Sequence, residues 1–176
     1  MKIGLFFGSF NPIHIGHLAI ANFMAEFTDL NQVWMVVSPH NPFKSESSLM
    51  DARKRFALVK KAIGRNPKIK VVDVEFTLPQ PSYTITTLKV LSKKFSQDKF
   101  VLIIGSDNLS TFYKWKDYKT ILSEYELYVY PRSGSTRSKL KNHANVRIVK
   151  APRMDVSSTF IREAIKKGKD VRYFVA

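Results

Sequence analysis

Apolar residues along the chain fall in short continuous runs separated by stretches of helical period. Ile3, Leu5, Phe6 and Phe7 form the first run, suited to a strand buried on both faces, and Gly8-Ser9-Phe10-Asn11-Pro12 supplies the breakers that end it. Ile20, Phe23, Met24 and Phe27 then recur at i, i+3, i+4 and i+7, which predicts a helix opening near His14. Further strands are expected at Val33 to Val37, Ile69 to Val74, Phe100 to Ile104, Glu126 to Tyr130 and Val146 to Val149. Between them, Phe56, Val59 and Ile63 mark the buried face of a helix closed by Gly64 to Pro67. Ser48 and Asp51 have the spacing of a capping box at its start. Ile85, Leu88, Leu91 and Phe95 mark another helix, and a last one, about 157–167, stops at Gly168.

Six strands alternating with helices predict an α/β fold: a Rossmann-like parallel sheet of about six strands with helices on both faces. No internal repeat is evident, and 176 residues at 44% hydrophobic fill one core, so a single domain over 1–176 is expected.

Charge narrows the partners. Lys and Arg number 29 against 14 acidic residues, a formal charge of +15, which favours anions without separating nucleotides from nucleic acid or an acidic membrane surface. Part of the excess has a plainer reading, since Lys60-Lys61, Lys93-Lys94 and Lys166-Lys167 sit where helices face water. The absence of cysteine excludes disulfides, thiolate catalysis and cysteine-ligated metal. Gly8 to His14 breaks the first apolar run too early for a signal peptide, and no run reaches membrane-spanning length, so a cytoplasmic protein is expected.

Candidate chemistry gathers where strands end. His14 and His17, three apart on one helix face at the end of the first strand, would add donors to a helix N-terminus suited to phosphate. Gly8 would let the backbone approach such an anion, and Gly16 would leave room between the imidazoles. The third ligand that zinc needs is not evident, so no metal site is expected. Pro39-His40-Asn41-Pro42-Phe43-Lys44 follows the second strand, putting His40 and Lys44 on the same edge unless the loop is only a rigid connector. Asp107, after Gly105, could accept from both hydroxyls of a ribose or cap the next helix. Arg53 and Arg55 oppose a helix dipole, which calls for an anionic partner or indifference. Phe112 to Tyr118 mixes aromatics with lysines, as a stacking platform or as the core and rim of a helix, and Ser135 to Asn145 reads as a basic surface loop. Ser157, Ser158 and Thr159 exceed what one N-cap requires.

Gly8-Ser9-Phe10-Asn11-Pro12-Ile13-His14-Ile15-Gly16-His17-Leu18 resembles the HxGH signature of a nucleotidyltransferase superfamily, and the chain from Gly4 to Val175 is similar to its bacterial nicotinate mononucleotide adenylyltransferases. Val156-Ser157-Ser158-Thr159-Phe160-Ile161-Arg162 resembles the second superfamily signature, ISSTxIR, with valine for the first isoleucine. The resemblance implies adenylyl transfer from ATP, carrying Mg²⁺, to nicotinate mononucleotide. It implies a catalytic set of His14, His17 and Arg162. It places ATP against those residues and Gly8, Ser9, Phe10, Gly105, Asp107, Ser157, Ser158 and Thr159. It places the mononucleotide against His40, Lys44, Arg55, Thr84 of Ser82-Tyr83-Thr84-Ile85-Thr86-Thr87-Leu88, and Trp115 on the nicotinate ring. Phosphopantetheine adenylyltransferase shares HxGH but not the loop at 39–44, the segment at 82–88 or Trp115. A basic nucleic-acid-binding domain is the rival from another class. Neither a membrane nor nucleic acid is the expected partner, and self-association stays open.

Overall fold

A computed structural model describes residues 1–39, 49–133 and 138–176. Six strands form one sheet: β1 (Lys2–Gly8), β2 (Gln32–Val37), β3 (Ile69–Val72), β4 (Lys99–Gly105), β5 (Glu126–Tyr130) and β6 (Val146–Ile148). Their order is β3-β2-β1-β4-β5-β6 and every neighbouring pair is parallel, with Gly8 beside Val37 and Gly105 beside Tyr130 at the carboxyl edge. The helices are α1 (Ile15–Phe27), α2 (Ala52–Ile63), α3 (Thr84–Lys94), α4 (Ser106–Thr111), α5 (Tyr118–Glu124) and α6 (Ser158–Lys166).

Alternate strand residues feed two cores, as a sheet buried on both faces requires. Phe6, Met35, Val37 and Ile103 pack with Ile20 and Met24 of α1 and Val59 of α2. Leu5, Val36, Leu102 and Val129 point the other way, against Ile85 and Leu88 of α3 and Ile121 of α5. Among the described residues no helix is long and apolar enough to cross a membrane.

Polar contacts shift several expected boundaries. β3 stops at Val72 because Val74–Thr77 wind into a 3-10 turn, in which the buried Glu75 carboxylate accepts from Ser82 Oγ and Thr87 Oγ1, each at 2.8 Å. Asp51 is itself the N-cap of α2, accepting from the Lys54 N–H at 3.0 Å, so it is not the distal member of a capping box. The expected partner Ser48 lies outside the described residues. The segment Phe112 to Tyr118 is not one helix: a 3-10 turn covers Phe112–Lys114, Trp115 is extended, and Asp117 takes a left-handed φ of 51° before α5 begins.

The amino edge of the sheet holds a compact charge network. Lys2 Nζ donates to Asp29, Glu126 and the Tyr128 hydroxyl, each at 2.9 Å, and Arg147 Nη1 donates to Asp29 at 2.9 Å. The Tyr128 hydroxyl bonds Asp29 as well. That hydroxyl first, then Lys2, holds the Asp29 carboxyl down from 3.8 to about 2. A depressed carboxyl stabilises the fold fully above its unfolded pKa and loses that contribution as pH falls through the folded one. Asp29→Asn is therefore expected to lower the melting temperature at pH 7 and to flatten its fall between about pH 4 and pH 2, which melting curves across that range would check.

Candidate active site

β1 and β4 are neighbours in the sheet, yet the chain leaves them toward opposite faces, which opens a crevice at their carboxyl ends. Two cavities lie there. One, of about 350 Å³, is lined by Ser9 and Asn11 after β1, His14 and His17 of the α1 start, Arg132 after β5, and Ser157, Ser158, Thr159 and Arg162 at the α6 start. The other, of about 120 Å³, lies between Gly8, Ser38, Gly105, Thr84 and Trp115.

The turn from β1 into α1 is built on Phe10. Its φ of 45° is costly for a residue with a side chain, and its ring is buried edge-on to Phe6 at 6.0 Å and to His17 at 5.0 Å. A Cβ on Gly8 would come within 2.8 Å of that ring, so the glycine makes room for Phe10, where sequence alone assigned the space to an anion. The two imidazoles stack, with centroids 3.6 Å apart and planes 24° from parallel. Gly16 keeps them so, since a Cβ there would sit 3.1 Å from the His14 ring. Burial first, then the charge of Arg132, pushes His14 down to about 4, leaving it neutral at pH 7. His14 Nδ1 is buried with no hydrogen-bond partner among the described residues. The C-terminal segment takes up one amide expected to face an anion: the Ile15 N–H donates to the Phe174 carbonyl at 3.0 Å.

The second signature reaches back to the first. Ser158 Oγ donates to the Pro12 carbonyl at 3.0 Å across 146 residues of sequence, and Arg162 Nη1 donates to the Asn11 carbonyl at 2.8 Å. Ser157 caps α6 by accepting from the Phe160 N–H at 3.1 Å, and Thr159 Oγ1 accepts from Arg162 Nη2 at 3.3 Å. Only Ser157 serves as the cap; Ser158 ties α6 to the turn after β1 and Thr159 bonds Arg162. Arg162 retains donors for a ligand, because a guanidinium carries five.

Asp107 does not cap α4; Gly105 occupies that position. Asp107 Oδ1 is buried without a partner among the described residues, while Oδ2 lies 3.9 Å from Arg132 Nε. A Cβ on Gly105 would collide with the Asp107 carboxylate and lie 2.9 Å from Arg132 Cδ, so this glycine lets the two side chains cross. Arg132, which lines the larger cavity, is a residue that sequence reasoning missed, as it missed Asn11 there and Tyr83 and Lys116 in the smaller one. The one available signal for Arg132 was position, just past the strand beside β4.

The second cavity brings Thr84 and Trp115 together with Tyr83 and Lys116, whose Nζ stands 4.4 Å over the Tyr83 ring. His40 and Lys44 lie outside the described residues. Arg55 is a correction. Expected against the mononucleotide, it is 1% exposed and spends its guanidinium on main-chain carbonyls: Met50 at 2.7 Å, Ser9 at 2.6 Å, Ser38 at 2.9 Å and Pro39 at 2.9 Å. A side chain so enclosed holds loops together.

Residues 5–164 match the family described as Cytidylyltransferase-like. A relative from Cytophaga hutchinsonii, described as a probable nicotinate-nucleotide adenylyltransferase, is 56% identical over 100% of this chain and 92% of its own. Another of the same description, from Flavobacterium johnsoniae, is 51% identical over 98% of this chain and 90% of its own. In fold, the chain is similar to the Plasmodium falciparum nicotinic acid mononucleotide adenylyltransferase complexed with NaAD. The TM-score is 0.85 at 19% identity, over 99% of this chain and 90% of that one.

The His14 environment makes a direct expectation. Its ring protons should show no titration by NMR from pH 8 down to about pH 5, with a midpoint about 4; added tripolyphosphate should raise that midpoint, since a nearby anion favours the charged ring. A midpoint near 6.5 in the free protein would contradict the burial and charge described.

Proposed function

The chain belongs to the cytidylyltransferase-like family and falls among its nicotinate-nucleotide adenylyltransferases, and we propose that it joins nicotinate mononucleotide to the AMP part of ATP, releasing pyrophosphate and forming nicotinate adenine dinucleotide for NAD biosynthesis. The observation that carries the reading is the meeting of His14 and His17 with Ser158, Thr159 and Arg162 around one cavity beside a second, aromatic one. The larger cavity suits a triphosphate, and Asp107, with a buried oxygen unpartnered among the described residues, suits a ribose. The smaller suits a pyridine ring against Trp115, with Thr84 and the start of α3 beside it.

A 5′-phosphate oxygen of the mononucleotide forms a bond to the α-phosphorus of ATP as the bond from that phosphorus to the bridging oxygen breaks. The electron pair leaves on pyrophosphate. The attacking phosphate is already ionised, so the protein supplies position and charge stabilisation and no nucleophile. His17, Arg132 and Arg162 donate to oxygens whose charge grows, and neutral His14 donates from a ring nitrogen. No carboxylate lines the larger cavity among the described residues, so Mg²⁺ comes on the triphosphate and is held chiefly by it. The reading carries with it a cytoplasmic location and leaves self-association open.

Incubation with ATP, Mg²⁺ and each candidate acceptor, with the product identified by mass, tests the assignment. Nicotinate mononucleotide should give the dinucleotide and phosphopantetheine should give nothing; the reverse would overturn it. His17→Ala should lower kcat on the order of 10²-fold with an unchanged circular dichroism spectrum. Arg132→Met should lower kcat/KM for ATP about tenfold or more, the loss of a charge-assisted bond, and should also raise the His14 midpoint by removing the neighbouring cation.

A further inference from the structure

Among the described residues, Arg55 is placed like no other cation. It begins the buried face of α2, it is enclosed, and its acceptors among the described residues are four carbonyls from three separate segments. Ser9 belongs to the turn after β1 and lines the larger cavity; Ser38 ends the step out of β2 and lines the smaller. One Nη1 atom holds both carbonyls, at 2.6 and 2.9 Å. The bonds continue from there. Met50, whose carbonyl accepts from Arg55 Nε, donates its own N–H to Asn11 Oδ1 at 3.2 Å, and the Asn11 carbonyl accepts from Arg162 Nη1 at 2.8 Å.

We propose that Arg55 is a positioning residue for adenylyl transfer: it fixes the spacing between the two cavities and, through Met50 and Asn11, the placement of the Arg162 guanidinium. In-line attack needs the mononucleotide phosphate and the α-phosphorus held at close range. A displacement of about 1 Å far from the reacting atoms can cost on the order of 10²-fold in rate. The planar fork of an arginine reaches several carbonyls at once, whereas a lysine ammonium is a point charge on a flexible stem. Among the described residues its hydrogen bonds all go to carbonyls and none to a carboxylate.

The test uses the full chain with Arg55→Lys, Arg162→Ala and the double variant, measuring kcat and both KM values in each. Alone, Arg55→Lys should lower kcat tenfold or more while the KM for ATP stays within threefold. With Arg162→Ala already present, the same change should cost at least threefold less than it does alone, because one of the two things it positions is gone and only the spacing of the cavities remains to be disturbed. A folded Arg55→Lys enzyme with kcat within twofold of the parent would overturn the proposal. So would an equal factor in both backgrounds, which is what a purely structural contribution gives. If Arg55→Lys does not fold, Asn11→Ala breaks the same run of bonds one step nearer Arg162, and the same loss and the same non-additivity are expected; independent factors would again overturn it. The proposal rests on the adenylyl-transfer reading, and the two fail separately: no dinucleotide from the parent enzyme sinks that reading, whereas product from the parent with independent factors sinks only this one.

Discussion

A cavity for a polyphosphate has to gather donors and positive charge before the anion arrives, and their mutual repulsion is the constraint around which this site is arranged. Three devices meet it. Burial keeps His14 neutral, so its ring can stack on His17 at van der Waals distance. Arg132 stands beside the Asp107 carboxylate at 3.9 Å, close enough to be steadied and too far to be fully paired. Arg162 and Arg55 rest on carbonyls. A carbonyl satisfies an N–H without cancelling its charge, so the field survives for a ligand. The amino edge of the sheet treats cations in the opposite way. There Lys2 and Arg147 are tied to Asp29 and Glu126 by direct ion pairs, which fasten β1, β5 and β6 but leave little field to act at a distance. The same residue types thus do different work at the two ends of the strands, and the difference lies in the acceptor.

Much of this was legible in the residues. The apolar run at Ile3 to Phe7, the breakers after it and the helical period from Ile20 to Phe27 determine β1, its turn and α1 almost without reference to the rest of the chain. Phosphate chemistry was legible for the same reason, because HxGH lies within one local turn. What escaped was whatever tertiary contacts decide. Arg132 belongs to no motif and enters the site because β5 lies beside β4. Arg55 was read as a ligand contact because sequence shows a cation near a helix start and cannot show carbonyls of Ser9 and Ser38, 46 and 17 residues away, turned toward it. Glu75 offered no signal at all, yet two hydroxyls drawn to its buried carboxylate end β3 early and set the approach to α3.

The glycines at the crevice show how far a sequence argument carries and where geometry must take over. A glycine at a strand end near a phosphate motif is commonly read as a place where backbone meets ligand. Gly8 and Gly105 both stand at such ends, one on β1 and one on β4. In each case the space that a Cβ would fill is taken by the protein: by the Phe10 ring at Gly8, and by Asp107 with the Arg132 stem at Gly105. The absent methyls therefore make room for neighbouring side chains. Phe10 beneath Gly8 supports His17 from the side, and the crossing over Gly105 brings an anion and a cation side by side. Both strand ends are thus filled by side chains from residues two and more positions further on, an apolar ring at one and a carboxylate with a guanidinium stem at the other.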